Sequence, residues 1–547
     1  MAAGYRRRLR VATVSRPAIQ CPRTADVAMT ARLWSGTSAR ARLCLAILVA
    51  GYFAIAVVAA APNSPLTVLL PAGTRAPSWA TSLAKAAGLD RLGRNGLTGV
   101  SWILVLAVVA AFALVLGEAW SRRIHLFPVI VASAMSLAIS VAAPLLLSRD
   151  VYTYAADGRI EALHHRNPYV ASLSSFPHDP FVAVTPGQWL HTHSVYGPVF
   201  TLASSAIART WAGSPGATIL AFKLLGGVAL MVATGLVALT AARYRPGRAP
   251  LSAALVGLNP VLVIHTVGGG HVDALIAAPL TAALAISVTR PPPASARAIA
   301  ITVLLTLGCL IKATIAPVLA LWLWWIAHNG PAGGKRILAA HLAAIVGLTF
   351  GSLLPFLAGW HTLAPFATLG GVEAWASPSH LGGRVLQAIV GSFAGARAGA
   401  GAAVAVEVAF LVLFVVLVSR LARRVRASDP TALADAWGVA LLLLALSIPF
   451  LLPWYAAWFA PFVGLFADKV LLVTGVLVTG VLALTLIPAD PFHGLTTPAV
   501  MYGVHYGAAS ILLVAFLVVA RRVLAGAPIS TFSASRALTS ARASVNS

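Results

Sequence analysis

The chain has 547 residues, of which 59% are apolar and only 10% charged, and its net charge is +25. So few polar side chains cannot solvate a water-soluble domain of this size, which excludes the soluble globular classes. The Lys and Arg are scattered between apolar blocks rather than gathered in a patch, which excludes a nucleic-acid-binding domain and matches the pattern that orients membrane helices.

Residues 1–42 are rich in Arg and lack a long apolar core. They read as a disordered basic cytoplasmic leader rather than a cleavable signal peptide, and Met29 is an alternative start. Membrane spans are then expected near 43–62, 99–117, 126–147, 218–242, 249–267, 272–289, 298–313, 314–328, 337–358, 400–420, 433–452, 454–467, 470–488 and 505–522. These blocks are continuous rather than alternating, so they predict helices and not the strands of a barrel. The expected fold is an all-α polytopic bundle of about 13–14 transmembrane helices over 43–522, with a cytoplasmic tail at 523–547.

The run Tyr196–Trp211 is apolar enough to raise the question of a further crossing. If it crossed, the basic loops RYRPGR and RLARRVR would move outside, against the positive-inside bias. It is therefore expected to form an interfacial or re-entrant helix, which places both termini in the cytoplasm. On that topology Asp150, Asp157, Glu161, Asp179, Asp273, Glu373 and Asp490 gather at the outer face. The three cysteines, Cys21, Cys44 and Cys309, are too far apart to suggest a disulfide framework or a metal-ligand spacing.

Chemistry is concentrated in Ser148–Asp179, which carries Asp150, Asp157, Glu161 and Asp179 out of 14 acidic residues in the chain. Asp150 stands where a span ends, with Arg149 beside it and Tyr152 and Tyr154 after it. Partial desolvation raises a carboxyl pKa and a neighbouring cation lowers it, a balance suited to a general base for a hydroxyl. Capping of the following helix is the plainer role for Asp150. Asp157 and Glu161 are one helical turn apart with Arg159 between them, as a solvated face would have them. HRNPYV (His165–Val170, with Asn167 and Tyr169) and SVYGPVF (Ser194–Phe200, with Tyr196) look like loops that bend back into the membrane interface.

In Leu258–Leu280, Asn259-Pro260 interrupts a span, and three glycines lead to His271 and Asp273. Those two side chains either share a site or, for Asp273, merely cap a turn; as a metal pair they lack a third ligand. Lys312 lies in an apolar stretch about two spans long, where an ammonium needs a partner, a water-filled break or a snorkelling route. An anionic phosphate is a natural partner for it. In LLPWYAAWFAP (Leu451–Pro461), Trp454, Tyr455 and Trp458 offer faces on which a sugar stacks, and equally suit an interfacial aromatic belt. Asp490, His493 and His505 follow without a spacing that identifies a site.

In this order, SRDVYTYAADGRIEALHHRNPY, VYGPVF, GGGHVDAL, the lysine of IKA and PWYAAW resemble the polyprenyl-phosphate-mannose-dependent α-1,6-mannosyltransferases of actinobacteria, in the glycosyltransferase-C superfamily. The resemblance covers about Ser148–Pro461, and the Ala-, Gly-, Arg- and Val-rich, Lys-poor composition agrees with such a source. It implies a plasma-membrane enzyme with an outer catalytic loop (148–217) and Asp150 as the essential carboxylate. Asp150 would activate the acceptor hydroxyl for inverting attack on a lipid-phosphate sugar, while Arg149, Arg159 or Lys312 meets the departing phosphate. The implied partners are a polyprenyl-phosphate-linked sugar donor, a glycolipid or mannan acceptor and membrane lipids. No cofactor or nucleotide site is expected, and assistance by a divalent cation is left open. The chain departs from the family pattern at Val272, where Asn is usual, which loosens the role of the His271/Asp273 pair. A related arabinofuranosyl transferase is the nearer rival. A lipid-glycan flippase is the more distant one, and Glu407 is the one clear acid within a span that proton-coupled transport could use.

Overall fold

The computed structural model describes residues 36–289, 291–329, 334–360, 362, 376–425, 430–485 and 498–526. Residues 1–35 of the expected leader, Cys21, Glu373, Asp490, His493 and residues 527–547 lie outside the described residues. Within them the chain is helical, and the extended backbone amounts to two isolated bridges. A backbone in hydrocarbon must satisfy its N–H and C=O groups within its own segment, so Leu-, Val- and Ala-rich blocks of this length fold as helices.

The first helices are α1 (Ala39–Ala59), a short α2 (Ser78–Ala86), α3 (Arg94–Trp120) and α4 (Leu126–Ala142). A polar insertion follows, holding α5 (Asp150–Ala162) and α6 (Pro198–Thr210). The chain then runs through α7 (Pro215–Tyr244), α8 (Ala249–Gly257), a π-helical turn (Val261–Val267), α9 (Asp273–Ser287) and α10 (Ala296–Ile311). The remaining helices are α11 (Ala316–Asn329), α12 (Gly334–Leu353), α13 (Pro378–Ala394), α14 (Ala396–Arg424), α15 (Pro430–Ser447), α16 (Ala456–Val463), α17 (Lys469–Leu484) and α18 (Pro498–Leu524). Seven segments among the described residues are long and apolar enough to cross a membrane, and five shorter apolar helices of 10–17 residues accompany them. The chain is thus a multi-pass, all-α membrane protein.

Most of the expected spans coincide with helices, two differ instructively, and one helix lies outside them. The expected 249–267 span is bent at Asn259-Pro260: α8 ends there, and the π-helical turn carries the chain onward, the whole segment being 94% buried. Pro260 offers no N–H, and Asn259 compensates by accepting from Val261 N and donating to the Leu255 carbonyl. The expected 454–467 span is only the eight-residue α16, which follows a 3-10 turn over Pro453–Tyr455 and is buried throughout. α13 has no counterpart among the expected spans, because His380, Arg384, Gln387 and its glycines dilute its hydropathy. It pairs closely with α14: a Cβ on Gly399 would meet the Gln387 carbonyl oxygen at 2.7 Å.

α6 has 13 residues. At 1.5 Å per residue it extends about 20 Å, against a hydrocarbon core about 30 Å thick. It lies against α5, where Gly158 permits backbone contact: a Cβ there would meet the Ser204 carbonyl oxygen at 2.3 Å.

Candidate functional site

The two loops that carry the acidic residues are stitched together. Leu146 N donates to the Gly268 carbonyl at 3.0 Å, and Leu147 N to the Leu66 carbonyl at 3.0 Å. Leu147 sits at φ 63°, a left-handed conformation uncommon for a branched side chain, and turns the chain from α4 into α5. Gly270 at φ 68° makes the matching turn before α9. These turns bring Asp150, at the first position of α5, to His271 and Asp273.

Asp273 is fully buried, and its Oδ1 accepts from Lys312 Nζ at 2.7 Å and from Trp458 Nε1 at 2.6 Å. Both donors to Oδ1 are side chains and Oδ2 has no partner, so the turn-cap role does not describe it. Lys312 lies at the break between α10 and α11, and its Nζ is 4.5 Å from the Tyr455 ring centroid and 5.4 Å from that of Trp458. These contacts offset part of the cost of burying an ammonium. Gly197 holds the neighbouring loop against this break: its N–H donates to the Ile311 carbonyl at 3.1 Å. A Cβ at Gly197 would stand 2.0 Å from the Leu310 carbonyl oxygen.

His271 is stacked on Trp454, with ring centroids 3.6 Å apart. Its Nδ1 faces Asp150 Oδ2 at 3.5 Å and the Tyr154 hydroxyl at 3.4 Å. Burial first, then the Lys312 charge, holds the His271 pKa well below the ordinary imidazole value, so the ring is neutral. Tyr154 is fixed edge-on by Tyr196, Phe200 and Phe222. The His271 side chain is closed off, whereas that of Asp150 beside it remains 26% exposed. Burial raises its pKa to about 6, with Lys312 and Ser148 pulling it down and Asp273 pushing it up. A half-covered carboxyl with a pKa near neutrality, beside a fixed ammonium, has the properties of a proton acceptor next to an anion subsite.

Asp150, Tyr196, His271, Asp273, Lys312, Trp454 and Tyr455 therefore lie together. Others do not. Arg159 donates to Asp179 Oδ2 at 2.8 Å and to the Ala212 carbonyl, and His164 reaches the same carboxylate at 2.9 Å, so this guanidinium is committed to the scaffold. Tyr152 donates to the Leu69 carbonyl, Asn167 to the Phe356 carbonyl and Tyr169 to the Tyr196 carbonyl, all tying loops together. Arg149 is half-buried and close enough to the Tyr152 phenol to act on its ionisation. Asp157 is not on a solvated face: it is buried, and its pKa is raised to about 7 by that burial, offset in part by the Ser194 hydroxyl. Glu161 does lie at the surface, paired with Arg209 at 2.6 Å. Among the described residues no three His, Cys, Asp or Glu side chains group as a metal site would.

Sequence reasoning passed over two participants. Trp458 belongs to the aromatic turn that reads equally as a sugar-stacking face or an interfacial belt; its N–H instead fixes Asp273. Lys223, which lies within the expected 218–242 span, sends its ammonium to the Ala143 and Pro144 carbonyls at 2.5 and 3.1 Å. It thereby holds the end of α4 that leads to Asp150. A lysine within a span was the available signal in both the Lys223 and Lys312 cases.

Fold and site together define a multi-pass helical membrane enzyme whose reactive groups sit at breaks between helices. A sequence model of the family described as "Alpha-(1->6)-mannopyranosyltransferase, N-terminal domain" matches residues 30–328. The chain belongs to this family and is a mannosyltransferase. An "Alpha-(1->6)-mannopyranosyltransferase A" of Mycobacterium tuberculosis is 26% identical over 377 residues, covering 66% of this chain and 68% of the relative. The Corynebacterium glutamicum protein of the same name is 26% identical over 197 residues, 36% of this chain and 38% of its own length. "Alpha-(1->6)-mannopyranosyltransferase Rv1459c" of M. tuberculosis is 34% identical over 140 residues, 24% of this chain and 23% of its own. No solved structure matches the chain. Asp150, His271, Asp273 and Lys312 all fall inside the family match, whereas Trp454 and Tyr455 lie beyond it.

Proposed function

We propose that this enzyme transfers mannose, with inversion, from a polyprenyl phosphomannose to an α-1,6-mannan chain on a glycolipid, at the outer face of the plasma membrane. The observation that carries the reading is the half-covered Asp150 carboxyl, set against a neutral His271 and within electrostatic reach of Lys312. Asp150 takes the proton of the acceptor hydroxyl as its oxygen bonds to the anomeric carbon. The bond from that carbon to the phosphate oxygen breaks, and the phosphate leaves carrying the electron pair toward Lys312. A positioned cation stabilises that developing charge. Trp454 and Tyr455 are buried and back the site, Trp454 stacked on His271 and Tyr455 stacked on Trp458 beneath the Lys312 ammonium. No step is assigned to a metal or cofactor.

The test is Asp150→Asn in purified membranes supplied with labelled donor. Loss of a general base lowers rates by about 100- to 10,000-fold, while insertion and folding are expected to persist. Wild-type rates from this variant would remove Asp150 from the reaction. Supplying polyprenyl phosphoarabinose in parallel separates the arabinosyl alternative, which requires label from that donor to be transferred instead.

A further inference from the structure

A second feature lies along α4, where it faces α1. α1 and α4 run side by side in the same direction. Ser38 N donates to the Arg123 carbonyl at their starts, and Leu147 N donates to the Leu66 carbonyl past their ends. Between them is a slot of about 500 Å³, walled by Leu45, Val49, Phe53, Val131, Met135 and Ile139. Arg42 stands at one end of it. The far end is flanked by Phe53, whose ring stacks on Trp79 of α2 with centroids 5.6 Å apart.

Two neighbouring cations at the Arg42 end are already engaged: Arg40 and Arg123 approach Glu118 at 3.5 and 3.9 Å. Arg42 is exposed and has no ion pair among the described residues. From Arg42 to Phe53 the helix rises about 16 Å, which is close to half of a hydrocarbon core about 30 Å thick. The slot is thus one leaflet deep, apolar along its length, and cationic at its mouth. Basic pockets of this kind between membrane helices select anionic lipid headgroups.

We propose that this slot binds one acyl chain of an anionic phospholipid, with the lipid phosphate on Arg42. The donor's tail is a poorer occupant, because the donor phosphate belongs near Lys312, whereas Arg42 is at the end of α4 remote from Asp150. A chain seated here presses on α4, the helix that leads directly into the catalytic loop.

The test uses full-length protein in nanodiscs of equal phosphatidylglycerol and phosphatidylcholine, extracted into detergent, with retained lipid read by native mass spectrometry. Phosphatidylglycerol is expected to be retained in preference. Arg42→Gln should cut that preference about five-fold, the equivalent of about 1 kcal/mol per basic residue. Ala46→Trp, which fills the slot from its exposed wall, should displace the lipid, while Arg40→Gln leaves it in place. Equal retention of the two lipids, or unchanged retention in both the Arg42→Gln and Ala46→Trp variants, overturns the proposal. So does an Ala46→Trp variant that keeps its phosphatidylglycerol but shows a raised KM for the donor, since the slot would then hold the donor's tail.

Discussion

Asp273→Asn asks how firmly the centre of the site is built. In the native protein the buried Oδ1 accepts both the Lys312 ammonium at 2.7 Å and the Trp458 indole N–H at 2.6 Å, and Oδ2 has no partner. Asparagine keeps an oxygen for both donors but removes the charge and replaces Oδ2 with an amide nitrogen that finds no acceptor. Reducing a charge-assisted bond to a neutral one loses about 1 kcal/mol, and a stranded buried donor adds about 1–3 kcal/mol for each N–H. With two N–H groups on that nitrogen the sum is about 3–7 kcal/mol, a range that contains the about 3–5 kcal/mol usual for deleting one member of a buried pair. Lys312→Met strands the carboxylate instead and is expected to lose a similar amount. The double variant removes both charges together, so its loss should fall short of the sum of the two singles by at least about 2 kcal/mol. Denaturant unfolding in a single detergent, followed by tryptophan fluorescence, measures all three. Additive losses, or an Asp273→Asn cost below about 1 kcal/mol, would refute the reasoning.

The remaining expectations are brief. Asp150 works as a base only when ionised, and its pKa is raised to about 6. The kcat/KM profile should therefore fall about tenfold per unit below pH 6 and level off above it. Lys312→Met removes a charge that lowers that pKa, so in the residual activity the same limb should move to higher pH. Gly197→Ala forces a methyl to within 2.0 Å of the Leu310 carbonyl oxygen unless the loop shifts. Overpacking of this kind costs about 1–3 kcal/mol; displacement of Tyr196 and Lys312 should lower transfer about a hundredfold, as read by labelled-donor turnover beside a thermal melt. Glu161→Gln breaks a pair with a well-exposed Arg209. It should change stability by less than about 1 kcal/mol and leave turnover intact.

The amino-acid sequence by itself determined the membrane class and most helices, because hydrocarbon leaves a continuous apolar block no alternative to a helix. It also determined that Asp150, His271, Asp273 and Lys312 are unusual: acids and a lysine beside spans are costly and need a purpose. What it could not separate was scaffold from site within one polar segment. Arg159 and Asp150 look equally eligible along the chain, and only the fold turns Arg159 onto Asp179 and leaves Asp150 half-open. Asp157 and Glu161, one turn apart, were alike in pattern. The approach of α6 over Gly158 buried the first and left the second paired at the surface. The tertiary structure alone joined Asp273 to Trp458 across 185 residues, set Leu147 in its left-handed turn and sent Lys223 to the end of α4. Periodicity and hydropathy report which face or depth a residue prefers. Which partner it meets there depends on helices distant in sequence, and that is settled only when they pack.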